Sequence, residues 1–467
     1  MKRITIIIVL LTMTMTSFAQ TYTMPHENEP HEGTWLQWPH QYEYGMAYRN
    51  SLDATWVAMT SALVGGEKVH IIAYNTTEKN RIISLLNTAG VSLTNVDFFI
   101  FQTNDVWVRD NGPIFVRDSN DNLLIQDWGF NGWGGKFNYN LCNPIPSAIG
   151  TAISIPVIDL NAMMVNEGGA VEIDGNGVLM ACKSSIISQS PPNSIRNPGM
   201  TQSQAESVFT QYLGVTKFIW LDGNVGDPND VTDFHIDGFA KFLNSDTLVT
   251  MNNADLVYWG ASTSDISTLY GASNTNNTVY TKVYLPLTQN NVATTIGNNL
   301  GYKGSYVNYY VANDVVLVPN YNDPNDVVAN GIIQLLYPNR AVVGIECRNL
   351  YEWGGMVHCV TQQQPTASTV GLGGINNTKG KVGNNFPNPF EHTTAINITL
   401  EISADVRVTI FNSSGQIVSQ QDYSSLSTGK HTIIISADGL PSGMYIYKVN
   451  IGDEEPYNGR MVISSLK

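Results

Sequence analysis

Short apolar runs recur along most of the chain. They are Val69–Tyr74, Val96–Phe101, Leu123–Trp128, Phe218–Leu221, Thr247–Met251, Val279–Leu285, Val315–Pro319, Ala341–Cys347 and Met356–Thr361. Most are rich in Val, Ile and aromatic residues and many are bounded by Asn, Gly or Pro, which predicts strands. Between them the spacing turns helical. Ile82, Ile83, Leu85 and Leu86 predict a helix from near Thr77 to Gly90. Thr201 and Gln204 form a capping-box pair ahead of Ala205, Val208, Phe209 and Leu213. Asp323-Pro324 reads as an N-cap and first-turn proline, opening a helix through Ile332, Ile333 and Leu336. Strands and helices alternating in this way predict an α/β body over residues 20–364. No sequence repeat of fixed period is visible.

The pattern changes after Gln364. Residues 365–383 are mostly Thr, Ser, Gly, Asn and Lys and read as a linker. From Asn384 only short strands follow: Ala395–Leu400, Val406–Phe411, His431–Ser436 and Met444–Asn450. Ser414-Gly415 and Ser442-Gly443 mark turns between them, so residues 384–467 predict a small β-sandwich. At the other end Lys2 and Arg3 precede an apolar stretch, Ile4–Met15, and then Ser17-Phe18-Ala19. That order predicts a secretory signal over residues 1–19, cleaved before Gln20. The run is short for a bilayer span, so export with no stable membrane insertion is expected.

The formal net charge of −15 argues against a nucleic-acid partner, which calls for basic patches. It suits a cationic substrate, although solubility outside the cell is the simpler account. The four cysteines, Cys142, Cys182, Cys347 and Cys359, are too few for a disulfide scaffold, and no CxxC pair supports a structural zinc.

Three clusters carry possible chemistry. In Trp353-Gly354-Gly355-Met356-Val357-His358-Cys359-Val360-Thr361-Gln362, a glycine pair permits close backbone approach ahead of a cysteine late in a predicted strand. A lone cysteine is more often a small buried hydrophobe than a nucleophile. Neighbours in a strand face opposite ways, so His358 is not expected to serve Cys359. In Asp230-Val231-Thr232-Asp233-Phe234-His235-Ile236-Asp237, extended backbone would put His235 and Asp237 on one face, as an acid/base unit or as metal ligands. Asn104-Asp105-Val106-Trp107-Val108-Arg109-Asp110-Asn111-Gly112-Pro113 reads, alone, as a surface loop with local ion pairs.

Together these segments resemble the agmatine deiminase and bacterial peptidyl-arginine deiminase family. The likeness runs from Glu32-Gly33-Thr34-Trp35 to Gln364. It passes through Trp107–Pro113, Phe130-Asn131-Gly132-Trp133-Gly134-Gly135-Lys136, Glu167-Gly168-Gly169, Thr232–Asp237 and Gly354–Gln363, in the family's order. The resemblance implies a pentein fold, a five-bladed α/β propeller around a central site. It implies Cys359 as nucleophile, His235 as general acid and base, and Asp110 and Asp237 gripping a guanidinium. Trp107 would pack on the substrate's stem and Glu167 would support the pocket. No metal or organic cofactor is implied. The partner would be a small guanidinium compound or an arginine-containing peptide.

Peptide-directed members of the family carry arginines after the Phe-Asn step. Here that place reads Gly132-Trp133-Gly134-Gly135, as in agmatine deiminases. Pro191-Pro192 departs from the family pattern at the pocket rim. The C-terminal module resembles the sorting domain of type IX secretion through Phe386-Pro387-Asn388-Pro389-Phe390, Val408–Gln416 and Leu440–Tyr445. This implies transit through the periplasm, engagement of the type IX machinery, and a secreted or cell-surface product. Two rivals are a cysteine peptidase or amidase using Cys359 and His235, and a non-catalytic adhesin. The first leaves the two extra carboxylates unexplained, since an oxyanion wants donors.

Overall fold

The apolar runs form strands, and the strands assort into several small sheets. The computed structural model describes residues 22–187, 196–224, 230–367, 379–388, 390–412, 416–452 and 457–464. The expected signal segment, 1–19, and Pro191-Pro192 lie outside the described residues.

Among the described residues the body holds five sheets. The first contains β1 (His31–Gln37), β2 (Lys68–Ala73) and β3 (Val96–Ile100). The second contains β4 (Ile114–Arg117), β5 (Leu123–Gly129) and β6 (Val157–Val165). The third contains β7 (Val171–Ile173), β8 (Val178–Cys182) and β9 (Lys217–Leu221). The fourth contains β10 (Ala240–Asn244), β11 (Thr247–Thr250) and β12 (Thr281–Tyr284). The fifth contains β13 (Tyr310–Val311), β14 (Val315–Asn320) and β15 (Ala341–Glu346). The chain then returns, and β16 (Gln362–Pro365) pairs antiparallel with β1.

Each sheet repeats one recipe. An antiparallel pair is followed by a strand that joins in parallel, as in β4–β5–β6 and β13–β14–β15. Parallel neighbours need a crossover, and helices supply it: Gly45–Leu63, Ile145–Ile153, Gln202–Leu213, Thr263–Gly271 and Asn325–Leu336. The first of these buries Tyr48, Leu52, Thr55, Trp56, Met59, Thr60 and Leu63, one face at helical spacing. The repeat is structural, and it explains why no fixed sequence period marks it: loops of different length separate the same few elements.

Local signals held where capping chemistry decides. The Thr201–Gln204 capping box forms as expected. The helix near Asp323 begins at Asn325, one residue later than expected: Pro324, not Asp323, takes the N-cap position, with no side-chain cap, although the Asp323 carboxylate accepts the Asn325 amide at 2.9 Å. Two extended segments did not form. Met356–Thr361 is no strand: His358–Val360 is a 3-10 turn, and pairing starts at Gln362. His235 likewise precedes the 3-10 turn Ile236–Gly238. Short apolar runs cannot distinguish a buried turn from a strand by periodicity.

Residues 369–467 form a second compact unit. One sheet joins Gly380–Phe386, Thr393–Leu400 and Gly429–Ser436. The other joins Ile417–Leu426, Ala404–Phe411, Gly443–Ile451 and Tyr457–Ile463. Ile396, Ile398 and Leu400 of the first sheet share one core with Val408, Ile410 and Tyr447 of the second. The body is thus mixed α/β and the C-terminal unit is β-rich. Three of these strands, Gly380–Phe386, Ile417–Leu426 and Tyr457–Ile463, were not expected; polar side chains dominate the exposed run Ile417–Leu426.

Phe209 is fully buried in the core that also contains Trp128, Leu179 and Ala205. Phe209→Ala should cost about 3–5 kcal/mol in denaturant unfolding, while kcat per folded molecule stays unchanged.

Candidate active site

Four short turns lead into the first strand of a sheet or into the closing strand, and they carry the sequence-predicted residues. Asp110 lies in Val108–Asn111 before β4, and Glu167 precedes Gly168–Ala170 before β7. His235 and Asp237 lie at Ile236–Gly238 before β10, and Cys359 lies in His358–Val360 before β16. The sheet recipe therefore repeats the lead-in, and the lead-ins pack against one another.

Gly169 measures how tightly they converge. A Cβ built there would stand 2.8 Å from Asp110 Oδ1, 2.8 Å from His235 Nδ1 and 3.0 Å from Asp237 Oδ2. The Gly169 amide donates to Asp110 Oδ1 at 3.1 Å, and the Trp133 indole donates to Asp110 Oδ2 at 2.9 Å. His235 Nδ1 is 3.6 Å from Asp110 Oδ1. Its Nε2 is 2.7 Å from Glu167 Oε2. Glu167 is fully buried, and Arg196 holds it with Nε at 3.0 Å and Nη2 at 3.2 Å. Arg196 also pairs with Asp233, whose carboxylate takes Lys136 Nζ at 2.8 Å.

Charge in this space sets the protonation states. Burial opposes a charged His235, but Asp110, Glu167 and Asp237 outweigh it and push the ring up to about 9. Burial, with Glu167 and Asp237, lifts Asp110 to about 6 against the pull of His235. Asp237 is held below the usual carboxylate range: burial works against this, and the His358 hydrogen bond prevails. Burial, then Asp237 and Asp110, push the Cys359 thiol well up. At neutral pH the ring is an imidazolium among carboxylates beside a neutral thiol.

Cys359 remains partly exposed, where two cavities meet. The larger, about 360 Å³, is lined by Tyr44, Tyr48, Trp107, Trp133, Phe137 and Trp353 together with Asp110, Cys359 and Glu352. The smaller, about 190 Å³, contains His235 and Asp237, and Lys303 lines it. Trp107 packs on Gly355, where a Cβ would come within 2.3 Å of the indole. All six sequence-predicted residues thus gather at one place.

Sequence reasoning missed several others. Asn308, before β13, has its Oδ1 3.6 Å from Cys359 Sγ and accepts the His358 amide at 3.0 Å. Trp133 sits at φ 55° between Gly132 at 67° and Gly134 at 83°. This left-handed stretch aims the indole at Asp110, and the run of glycines was its only signal. Asp233 and Phe234 also have positive φ, at 56° and 76°. Such backbone costs about 1–3 kcal/mol per residue and persists only where surroundings hold it, here the Arg196 and Lys136 contacts to Asp233 and the Phe234 amide's bond to Asp230 Oδ2 at 2.8 Å.

Residues 23–365 match the Porphyromonas-type peptidyl-arginine deiminase family. The chain belongs to that family. An agmatine deiminase of Pseudomonas aeruginosa is 30% identical over 374 residues, covering 75% of this chain and 98% of the relative. A candidate arginine deiminase structure from Porphyromonas gingivalis is 28% identical with a TM-score of 0.63, covering 74% of this chain and 98% of its own. The agmatine deiminase structure of Enterococcus faecalis shares the fold, at 24% identity and a TM-score of 0.64, over 74% of this chain and 96% of its own. Residues 384–464 match the secretion system C-terminal sorting domain. This deiminase is therefore a hydrolase of C–N bonds with a sorting module. Among its described residues no helix is long and apolar enough to cross a membrane.

Gly169→Ala should lower kcat/KM about 10²-fold or more without unfolding the deiminase, because the methyl would displace Asp110, His235 and Asp237 at once. Circular dichroism with a turnover assay checks this. His235 binds its proton more tightly folded than unfolded. Its contribution is thus fully present below about pH 6.5 and fades as pH rises through about 9. Denaturant unfolding of wild type against His235→Asn should show the wild-type margin shrinking over that window; a margin that grows would refute it.

Proposed function

We propose that this chain is an exported guanidine deiminase that works through a covalent Cys359 intermediate, with agmatine as the favoured substrate and N-carbamoylputrescine and ammonia as products. One observation carries the reading: a partly exposed thiol shares its cavities with two buried carboxylates and an imidazole. A guanidinium presents a planar fork of donors, and Asp110 and Asp237 would accept them in pairs. The arriving cation neutralises the carboxylates that hold the thiol protonated, and so favours the thiolate where the carbon waits.

As the cation binds, the Cys359 thiol gives its proton to solvent, since His235 already carries one, and the thiolate attacks the central guanidinium carbon. His235, already protonated, gives its proton to the departing nitrogen, which leaves as ammonia. The neutral ring, oriented by Glu167, then takes a proton from water as that water attacks the thiouronium carbon. Sulfur leaves as the thiolate, the ureido product gives up its excess proton, which through solvent converts the ammonia to ammonium, and the product is released. The sum is one guanidinium and one water giving one ureido group and one ammonium.

The larger cavity supports agmatine. Among its described lining residues there is no Lys or Arg to meet a carboxylate, whereas the aromatic walls and Glu352 suit an alkyl chain ending in an ammonium. Trp133 stands where peptide-directed relatives would place arginines. The five repeated sheets, each with its lead-in, support a five-bladed pentein propeller over 20–364. The C-terminal module would hand the chain to the type IX secretion machinery for release or surface display.

The test is a substrate panel of agmatine, free arginine, and peptides with internal or C-terminal arginine, scored by ureido product and ammonia. Agmatine should give the highest kcat/KM, and Cys359→Ala should abolish turnover. Preference for a peptide would transfer the substrate assignment. Peptide-bond cleavage, or no ammonia from any compound, would overturn the reading.

A further inference from the structure

Behind the cavities lies a second layer of buried charge that the proposed chemistry does not use. Glu27, Arg109, Glu172, Lys241 and His358 are buried together. Glu27 Oε2 lies 2.7 Å from His358 Nε2, 3.1 Å from Lys241 Nζ and 3.6 Å from Arg109 Nη2. Its Oε1 accepts the Val311 amide at 2.9 Å. Glu172 holds Lys241 from the other side at 3.3 Å. Arg109 Nε donates to the His358 carbonyl at 3.3 Å.

These contacts reach the site through sequence neighbours. Arg109 adjoins Asp110, and His358 adjoins Cys359. His358 Nδ1 lies 2.8 Å from Asp237 Oδ2. An ionised carboxylate only accepts, so Nδ1 carries the proton between them. On its other side the same ring meets Glu27. One carboxylate from the N-terminal segment therefore underlies the turns of Asp110 and Cys359 and, through one imidazole, Asp237. Burying Glu27 among these groups would cost several kcal/mol unless its partners compensated it.

We propose that His358 and Glu27 are a positioning pair: Glu27 fixes the His358 ring, and the ring fixes the Asp237 carboxylate at the angle that grips a guanidinium. This rests on the deiminase reading of Asp237. It assigns His358 a task at the site although it faces away from the sulfur beside it in sequence. A carboxylate free to rotate would lose the paired geometry, and a misplacement of about 1 Å can cost about 10²-fold in rate.

Two substitutions separate positioning from packing. His358→Asn sets an amide near the place of Nδ1 and keeps a donor for Asp237. His358→Gln sets it near Nε2, facing Glu27, and leaves Asp237 without one. With agmatine, or the best substrate of the panel, kcat/KM should fall about 10²-fold in His358→Gln and recover most of that loss in His358→Asn, at matched melting temperatures. Equal activity of the two variants, or wild-type activity in His358→Gln, overturns the proposal. Should either fail to fold, Glu27→Gln decides: a loss of about 10-fold or more in kcat/KM with an unchanged far-UV spectrum supports the pair, and wild-type kinetics overturn it. Wild-type protein inactive on every guanidinium compound would instead defeat the deiminase reading itself.

Discussion

Asp110 and Asp237 stand buried beside one buried imidazole and one partly exposed thiol, and like charges held that way repel. Gly169 lets the oxygens approach, because any side chain there would occupy the point on which they converge. The resulting field keeps His235 protonated and Cys359 neutral. On the proposed mechanism, a planar cation would relieve the repulsion and turn the same field to the service of the thiolate.

The architecture serves that constraint by repetition. Four of the body's five sheets begin with an antiparallel pair and the first gains its antiparallel partner from the closing strand; the segment leading into each such pair, or into the closing strand, supplies an acid, an imidazole, an amide or a sulfur. Turns on a rigid sheet can bring side chains from Asp110 to Cys359 into contact although most of the body separates them in sequence. Pairing of β16 with β1 joins the two ends of the body and sets Cys359 close ahead of a fixed strand. The positive-φ residues Trp133, Asp233 and Phe234 lie around the same site, and Arg196 spans Glu167 and Asp233 to hold two of these turns together.

Behind the site, Glu27 and His358 extend the same electrostatic logic. Each buried carboxylate described here has a donor, and most of these donors have a second acceptor. The chain Glu167–His235–Asp110 and the chain Glu27–His358–Asp237 have the same form, an imidazole between two carboxylates. In the proposed mechanism the first ring transfers protons, and the second is proposed to hold a carboxylate still.

What the sequence determined by itself was local or chemical. Capping at Thr201, the apolar faces of helices and the shift to strands beyond Asn384 were legible because propensity belongs to the residue, whereas Asp110, Glu167, His235, Asp237 and Cys359 were drawn together only through the resemblance to a family, and the segment of Asp110 alone reads as a surface loop. It was silent on Asn308, on Arg196 beneath Glu167, on the Trp133 indole against Asp110, and on Glu27. It also misread as extended the turns at His235 and Cys359. These belong to the tertiary structure alone. A buried apolar run has no period that separates a turn from a strand, and whether a polar side chain is a partner or a bystander depends on what the fold brings within three ångströms of it.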